Sequence, residues 1–316
     1  MVNKFDGIHN INKMKTINIY KAILFVGMIA LQYTAKAQAR YFDERYVYTQ
    51  AHLNPQLINP GAYGSEMNHT ILFNYRNKWS GIDGAPRTFT VSYNGAVGNR
   101  LALGLNVVSD KFSQLETFKG ALGLSYTIVS ETNQLGIGLS GEYIKHGLSG
   151  FGNADPTDPI ISNALAGAEY FDASFGLYGI YMKRLMYGLT IPSAVSSRIT
   201  DIELSNEPER EAGFILQVGY KLDMHPDISL TPYIIMKKLN QVPTHIDMNL
   251  TFGFLQDKLL GGVNYTLGAD KRLGFLIGTK IEKLKFYYSY NTSSNPIQDY
   301  NNGSHELTLG VSFGGK

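Results

Sequence analysis

The chain has 316 residues, with no cysteine, one tryptophan, 21 tyrosines, 33 glycines and a formal net charge of +2. Without cysteine it carries no disulfide framework, no thiolate metal site and no lipid-modified cysteine. Only 44% of the residues are apolar, which would describe a soluble protein if helices were the only way to span a bilayer; barrels evade that test because half of each strand faces inward.

Residues 1–37 read as a secretory signal peptide. Lys13, Lys15 and Lys21 precede an apolar run from Ala22 to Leu31, and Ala35-Lys36-Ala37 supplies the small-x-small pattern of a cleavage site before Gln38. The run is shorter than the roughly 20 residues a spanning helix needs, which disfavours a permanent anchor. Met14 is an alternative start. Removing five lysines and one aspartate from 28 basic and 26 acidic residues leaves 23 and 25, a net charge of −2. The remaining charges are scattered, with no basic stripe interleaved with aromatics, so nucleic-acid binding is set aside.

Residues 38–67 break any membrane rhythm. From Tyr48 to Gly64 the chain reads YTQAHLNPQLINPGAYG, and its two Asn-Pro steps disfavour helix at Asn54 and Asn59 and favour turns. The segment is too polar and broken for a membrane strand. It lies in the periplasm, folds into a lumen as a plug, or is a simple lead-in linker.

From about residue 68 to the end (residues 68–316), apolar residues alternate with small or polar ones. Leu101, Leu103, Leu105 and Val107 oppose Ala102, Gly104 and Asn106; Leu122, Leu124, Tyr126 and Ile128 oppose Ala121, Gly123, Ser125 and Thr127. A period of two is a β-strand, and one greasy face against one small or polar face is the pattern of a membrane barrel. The fold class is therefore all-β, a transmembrane antiparallel β-barrel. About fourteen strands are predicted, at 68–78, 86–96, 99–109, 115–128, 134–146, 169–181, 184–191, 210–222, 227–238, 245–255, 258–267, 271–280, 284–291 and 304–314.

Short and long connections tend to alternate. The turns at 98–99, 131–133, 183, 224–226, 256–257 and 282–283 are tight, whereas 79–85, 147–168, 192–209 and 292–303 are long and rich in turn residues. Outer-membrane barrels have short periplasmic turns and long external loops, which places both chain termini in the periplasm. The C-terminus fits less well, because Phe313 is followed by Gly314-Gly315-Lys316 rather than ending the chain.

Motifs of chemistry are sparse. Gly136-Ile137-Gly138-Leu139-Ser140-Gly141 matches G-x-G-x-x-G, but it lies inside a strand with no helix to receive a pyrophosphate, so its glycines relieve crowding on an inner face. The histidines at 9, 52, 69, 146, 225, 245 and 305 show no metal-ligand spacing, and no serine has a nucleophile context. No catalytic residue, metal or cofactor is expected. Glu142, Asp172 and Glu306 fall on inward positions as lumen charges. Trp79 at the end of the first strand suits an interfacial aromatic belt, and Gly81, Gly84 and Pro86 fix a specific loop.

Two blocks together resemble the PorP/SprF family of outer-membrane proteins of Bacteroidetes. The family runs Y-x-Q, then F-N-P-x-x-x-N-P with a glycine turn, and later R-x-Q-W-x-G-x-x-G-A-P-x-T. Tyr48, Gln50, Asn54, Pro55, Asn59, Pro60 and Gly64 match the first part; Arg76, Trp79, Gly81, Gly84, Ala85, Pro86 and Thr88 match the second. Leu53 replaces the usual aromatic, Gly61-Ala62-Tyr63 permutes Ala-Tyr-Ala, and Lys78 replaces Gln. The resemblance implies a non-enzymatic barrel of type IX secretion and gliding. It would help export or anchor a secreted, adhesin-like surface protein through its C-terminal sorting domain, and would contact a periplasmic peptidoglycan-binding partner of the OmpA-like kind besides outer-membrane lipid. In that role the fourteen matched positions would form a partner-binding or plug element. The alternatives are a passive porin or hydrophobic-ligand channel and, further off, an outer-membrane hydrolase.

Overall fold

Alternation of side-chain size is what lets this chain roll into a closed sheet. The computed structural model describes residues 46–66, 68–149, 167–198, 213–239, 243–268, 271–294 and 296–314. The strands are β1 (His69–Asn77), β2 (Arg87–Ala96), β3 (Leu101–Phe112), β4 (Leu115–Val129), β5 (Asn133–Leu148), β6 (Ala168–Tyr181), β7 (Leu185–Arg198), β8 (Phe214–Tyr220), β9 (Leu222–His225), β10 (Ile228–Lys238), β11 (His245–Phe254), β12 (Leu259–Leu267), β13 (Arg272–Ile281), β14 (Leu284–Ser293) and β15 (Ser304–Phe313). β8 and β9 are one span interrupted at Lys221, since both pair with β10. Every pairing is antiparallel. β1 pairs β15 from His69↔Phe313 to Asn77↔His305, and β10 pairs both β8 and β11, so the sheet returns on itself as a barrel of fourteen spans.

The two faces differ as the alternation requires. On β4, Ala121, Ser125 and Thr127 are buried inward while Leu122, Leu124, Tyr126 and Ile128 point out, Leu122 with 58% of its surface exposed. Similar outward rows run through Phe73 and Tyr75 on β1 and Phe275 and Ile277 on β13. A continuous apolar exterior on this scale is stable only against hydrocarbon. Inside, Thr70, Asn74, Arg76, Thr88, Thr90, Lys119, Glu142, Asp247 and Glu306 make a polar lining.

One end carries tight turns, and the first and last strands begin and end there. In the turn of residues 182–184, Met182 and Lys183 both hold a positive φ (50° and 56°) and Arg184 N donates to Tyr181 O (3.0 Å), the pair of left-handed central residues that matches strand twist. The opposite end carries the longer connections and is called the loop-rich end below. The loop of residues 78–86 is fixed there: Lys78 N donates to Pro86 O (2.9 Å), Ser80 exchanges hydrogen bonds with Gly303 and Asn302 (2.8 and 2.7 Å), and Ser113 N donates to Gly84 O (2.7 Å).

Most strand ends lie within a few residues of the sequence expectation, with one clear exception. β7 continues to Arg198 instead of stopping near residue 191. Ala173 pairs Val195 while Phe175 pairs Ile191, so residues 192–194 face one residue of β6 as a bulge. The bulge accommodates Pro192, which has no N–H for a ladder, and Ser193 takes a positive φ of 52° within it. A proline that reads as a stop is here a bend. The predicted signal peptide, residues 38–45, and residues 150–166 and 199–212, which hold most of the predicted loops 147–168 and 192–209, lie outside the described residues.

Candidate functional site

Residues 46–66 pass through the lumen, and their local sequence shapes them for it. Each Asn-Pro step opens a single 3-10 turn, Pro55–Leu57 and Pro60–Ala62, with proline at the start of each, where its missing N–H costs nothing. Asn59 Oδ1 accepts from Gly61 N (2.9 Å) and caps the second turn. Bonds such as Asn54 N to Gln50 O (3.1 Å) and Asn59 N to Pro55 O (2.9 Å) close the backbone on itself. The result is a compact thread rather than a strand or helix. It reaches all sides of the barrel.

At the first end of the thread, Tyr46 lies against Lys119, whose Nζ is 4.8 Å from the ring centroid and 2.6 Å from Glu142 Oε2. Tyr48 Oη is 2.9 Å from Thr90 Oγ1, and the Arg76 guanidinium lies 5.9 Å from the Tyr48 ring centroid. Arg76 Nη2 donates to Thr88 Oγ1 (3.0 Å), which donates to Asp110 Oδ1 (2.6 Å). Glu306 is the anchor of this half. Its carboxylate accepts from Thr49 N (2.8 Å), Gln50 N (3.4 Å) and Asn74 Nδ2 (3.0 Å), while Gln50 Nε2 donates to Glu306 O and Ser289 Oγ (3.0 Å each). Hydrogen bonds to a buried charge contribute about 1.5–3 kcal/mol each. Apolar contacts add to them: Tyr46, Tyr48, Ala51, Leu57 and Ile58 cluster with Ile215, Tyr233, Ile235 and Leu239, and Leu53 packs on Leu260, Leu276 and Tyr287.

Toward the tight-turn end the thread presses on glycines. Gly61 lies against the backbones of Gly136, Gly176 and Tyr178, and Pro60 against Gly138; Gly138 and Gly176 are partners across β5 and β6. The Tyr63 ring covers Gly104 and Gly123, themselves partners across β3 and β4. Any side chain at these inner positions would occupy the space of the thread. Asn59 Nδ2 reaches Leu177 O (2.9 Å), Ser125 Oγ donates to Gly61 O (3.3 Å), and Gly64 N reaches Asn94 Oδ1 (3.3 Å). Gln134 Nε2 reaches Ser65 O (3.2 Å), and Glu66 pairs with Lys285.

Burial shifts the titratable groups of the thread. It pushes the Tyr48 and Tyr63 hydroxyls up, so both are neutral. It pulls His52 down to about 4, against the opposing pull of Thr49 O and Asp247. The neutral ring is held between Thr49 O and Thr251 Oγ1, 3.2 Å each.

The predicted site residues thus divide. Tyr48, Gln50, Asn54, Pro55, Asn59, Pro60 and Gly64 are all in the thread, and Arg76 and Thr88 face it from the wall; Arg76 above Tyr48 is where the two sequence blocks meet. Trp79, Gly81, Gly84, Ala85 and Pro86 form the loop at the loop-rich end, with positive φ at Trp79, Gly81 and Gly84. Trp79 lies under Lys78 Nζ (4.7 Å) and edge-on to Phe112 (6.2 Å), and its indole nitrogen is covered. It is a packing residue of this loop, where an interfacial belt would need the nitrogen outward. In the sequence Glu306 reads as a lumen charge and Gly136 to Gly141 as inner-face glycines, with nothing that links either to the thread, and Asn74, Ser289, Thr90 and Lys119 carry no sequence signal.

The sequence matches the family model described as type IX secretion system membrane protein PorP/SprF over residues 42–311. The chain belongs to the PorP/SprF family. The match begins just before the thread and runs through β15, so the PorP/SprF unit includes both the lumen segment and the wall. No curated protein matches the chain. Among solved structures, a CymD monoaromatic hydrocarbon channel is similar at 12% identity and TM-score 0.46, with 84% of this chain and 92% of that chain covered. The toluene transporter TbuX of Ralstonia pickettii aligns at 7% identity and TM-score 0.44 over 84% and 94%. CdiB of Acinetobacter baumannii aligns at 6% and 0.44 over 78% and 60%.

Proposed function

We propose that this PorP/SprF protein is a non-enzymatic outer-membrane barrel of type IX secretion that helps export or anchor an adhesin-like surface protein through its C-terminal sorting domain. The tight-turn end faces the periplasm and an OmpA-like, peptidoglycan-binding partner; the loop-rich end faces outward. One observation carries the reading: the family's Tyr48–Gly64 block fills the lumen and is tied to β2, β4, β6, β14 and β15 by hydrogen bonds, so the pore is occupied by its own chain. An open passive porin would be obstructed by such an occupant, whereas a docking barrel gains a sealed lumen and a rigid base for its loops.

The test is deletion of residues 48–64 in the full-length protein, with co-purification from native outer membranes and planar-bilayer recording. The expected outcome is loss of the captured surface protein, a new open conductance, or both. Unchanged co-purification together with unchanged conductance would sink the reading.

A further inference from the structure

The inner rim of the tight-turn end holds a charge arrangement that the lumen seal alone does not need. Lys280 on β13 and Lys285 on β14 are direct partners across the ladder, and both continue the inward series of their strands. Like charges directly opposite one another repel, by a few tenths of a kcal/mol or more. Glu66, the last described residue of the thread before β1, offsets that repulsion by pairing with Lys285, and it attracts Lys280 as well; the Glu66 side chain is 47% exposed. Lys280 has no ion pair or side-chain hydrogen bond among the described residues, although Glu66, Asp257, Lys221 and Lys285 all lie within electrostatic reach of it. Asp257 does not supply the missing carboxylate, being engaged by Lys221 and by Ser229 Oγ (2.5 Å). The rim therefore presents two cations for one carboxylate, and that carboxylate belongs to the segment that fills the pore.

We propose that Lys280 and Lys285 form a docking site for an extended, acidic peptide segment of a partner, which displaces Glu66 and so loosens the lower end of the lumen thread. The site already accepts a carboxylate, which identifies the chemistry. In an extended peptide, alternate side chains share a face about 6.6–6.8 Å apart, while the Cα atoms of opposed residues on paired strands are about 4.5–5.5 Å apart. Long lysine side chains span the difference of roughly 1–2 Å and so can meet two carboxylates at alternate positions. In the structure Glu66 is within ion-pair distance of Lys285 and not of Lys280. Displacement unfastens first the part of the thread held by the fewest bonds, Ser65 on Gln134 and Gly64 on Asn94, ahead of the Gly61 contact. The inference concerns one mouth of the barrel and does not depend on which compartment that mouth faces.

The experiment uses the full-length protein in detergent micelles and a fluorescent peptide of alternating glutamate and serine, followed by anisotropy, with protease sensitivity of residues 62–66 as a second readout. Binding is expected with the wild type, about tenfold weaker with Lys280→Gln, and restored by Lys280→Arg, which keeps the charge. Glu66→Gln is expected to strengthen binding several-fold, because it removes the internal competitor. Equal binding by wild type and Lys280→Gln, or no effect of Glu66→Gln, overturns the proposal. So does displacement of the peptide by inorganic phosphate at matched ionic strength as effective as by unlabelled peptide, which would make this a site for any small anion. The control peptide with glutamine in place of glutamate is expected not to bind; binding by it overturns the proposal as well.

Discussion

Gly61 and Gly136 lie backbone to backbone, one in the lumen thread and one on the inner face of β5. A Cβ on Gly61 would stand 2.8 Å from Gly176 O and 2.9 Å from Gly136 O, closer than atoms pack. The seat of the thread is therefore made by missing side chains, and its weak points follow directly.

Gly138→Val is expected to lift Pro60 and Gly61 off the wall, since overpacking a close contact costs about 1–3 kcal/mol. The barrel, held by its own ladder, stays folded. Limited proteolysis should cut within residues 46–66 in Gly138→Val while heat-modified gel mobility remains that of a folded barrel. Gly98→Ala, in a turn with open space around it, is the control. A protected thread in Gly138→Val would contradict the contact.

Glu306→Ala removes the acceptor for Thr49 N, Gln50 N and Asn74 Nδ2 at once. Asn74 Nδ2 keeps Thr308 Oγ1 (2.8 Å), whereas Thr49 N and Gln50 N lose their acceptor, and a buried donor left without a partner costs about 1–3 kcal/mol. Hydrogen exchange across residues 46–54 should accelerate by at least about tenfold, and Glu306→Gln, which keeps one acceptor oxygen, should fall between wild type and Glu306→Ala. Equal exchange in all three proteins would show that the apolar cluster around Ile215 and Tyr233 holds this half alone.

Acid should release the thread through His52. Above about pH 6.5 the ring is neutral whether seated or released, so it contributes no pH dependence. Between 6.5 and about 4 the released ring takes a proton that the buried ring refuses, so the seated state loses stability as pH falls, by roughly 3 kcal/mol at the limit. Protease accessibility of residues 46–66 should rise from pH 7 to pH 4.5 in wild type and rise less in His52→Gln. A steeper acid response in His52→Gln would reverse the sign and refute the assignment.

Arg76→Lys preserves the charge but loses the planar group above Tyr48 and the geometry that reaches Thr88. Arginine and lysine are not equivalent at a stacked, hydrogen-bonded position. The melting temperature of the thread, followed by tyrosine fluorescence or exchange, should fall by several degrees in Arg76→Lys and further in Arg76→Ala. No difference between the two variants would mean that charge alone matters there.

Much of the wall was legible because a period of two is written residue by residue: Leu122 and Ala121 need no knowledge of their neighbours to be assigned to opposite faces. By sequence β7 ends near residue 191, where a turn-rich stretch beginning with Pro192 follows, and only the pairing with β6 reveals the bulge that absorbs that proline. The position of Trp79 at a strand end suits an interfacial belt, whereas in the structure it packs within its loop against Lys78 and Phe112.

The sequence by itself determined the barrel, its inner and outer faces and the family, because alternation and the two motif blocks are local features. Only the tertiary structure decided where the Tyr48–Gly64 block goes, since linker, periplasmic segment and plug have the same local pattern. It also decided why Gly136 and Gly138 are glycines and why Glu306 is buried. Those are properties of contacts between residues as far apart as Gln50 and Glu306, and such contacts exist only after the sheet has closed around its own N-terminal segment.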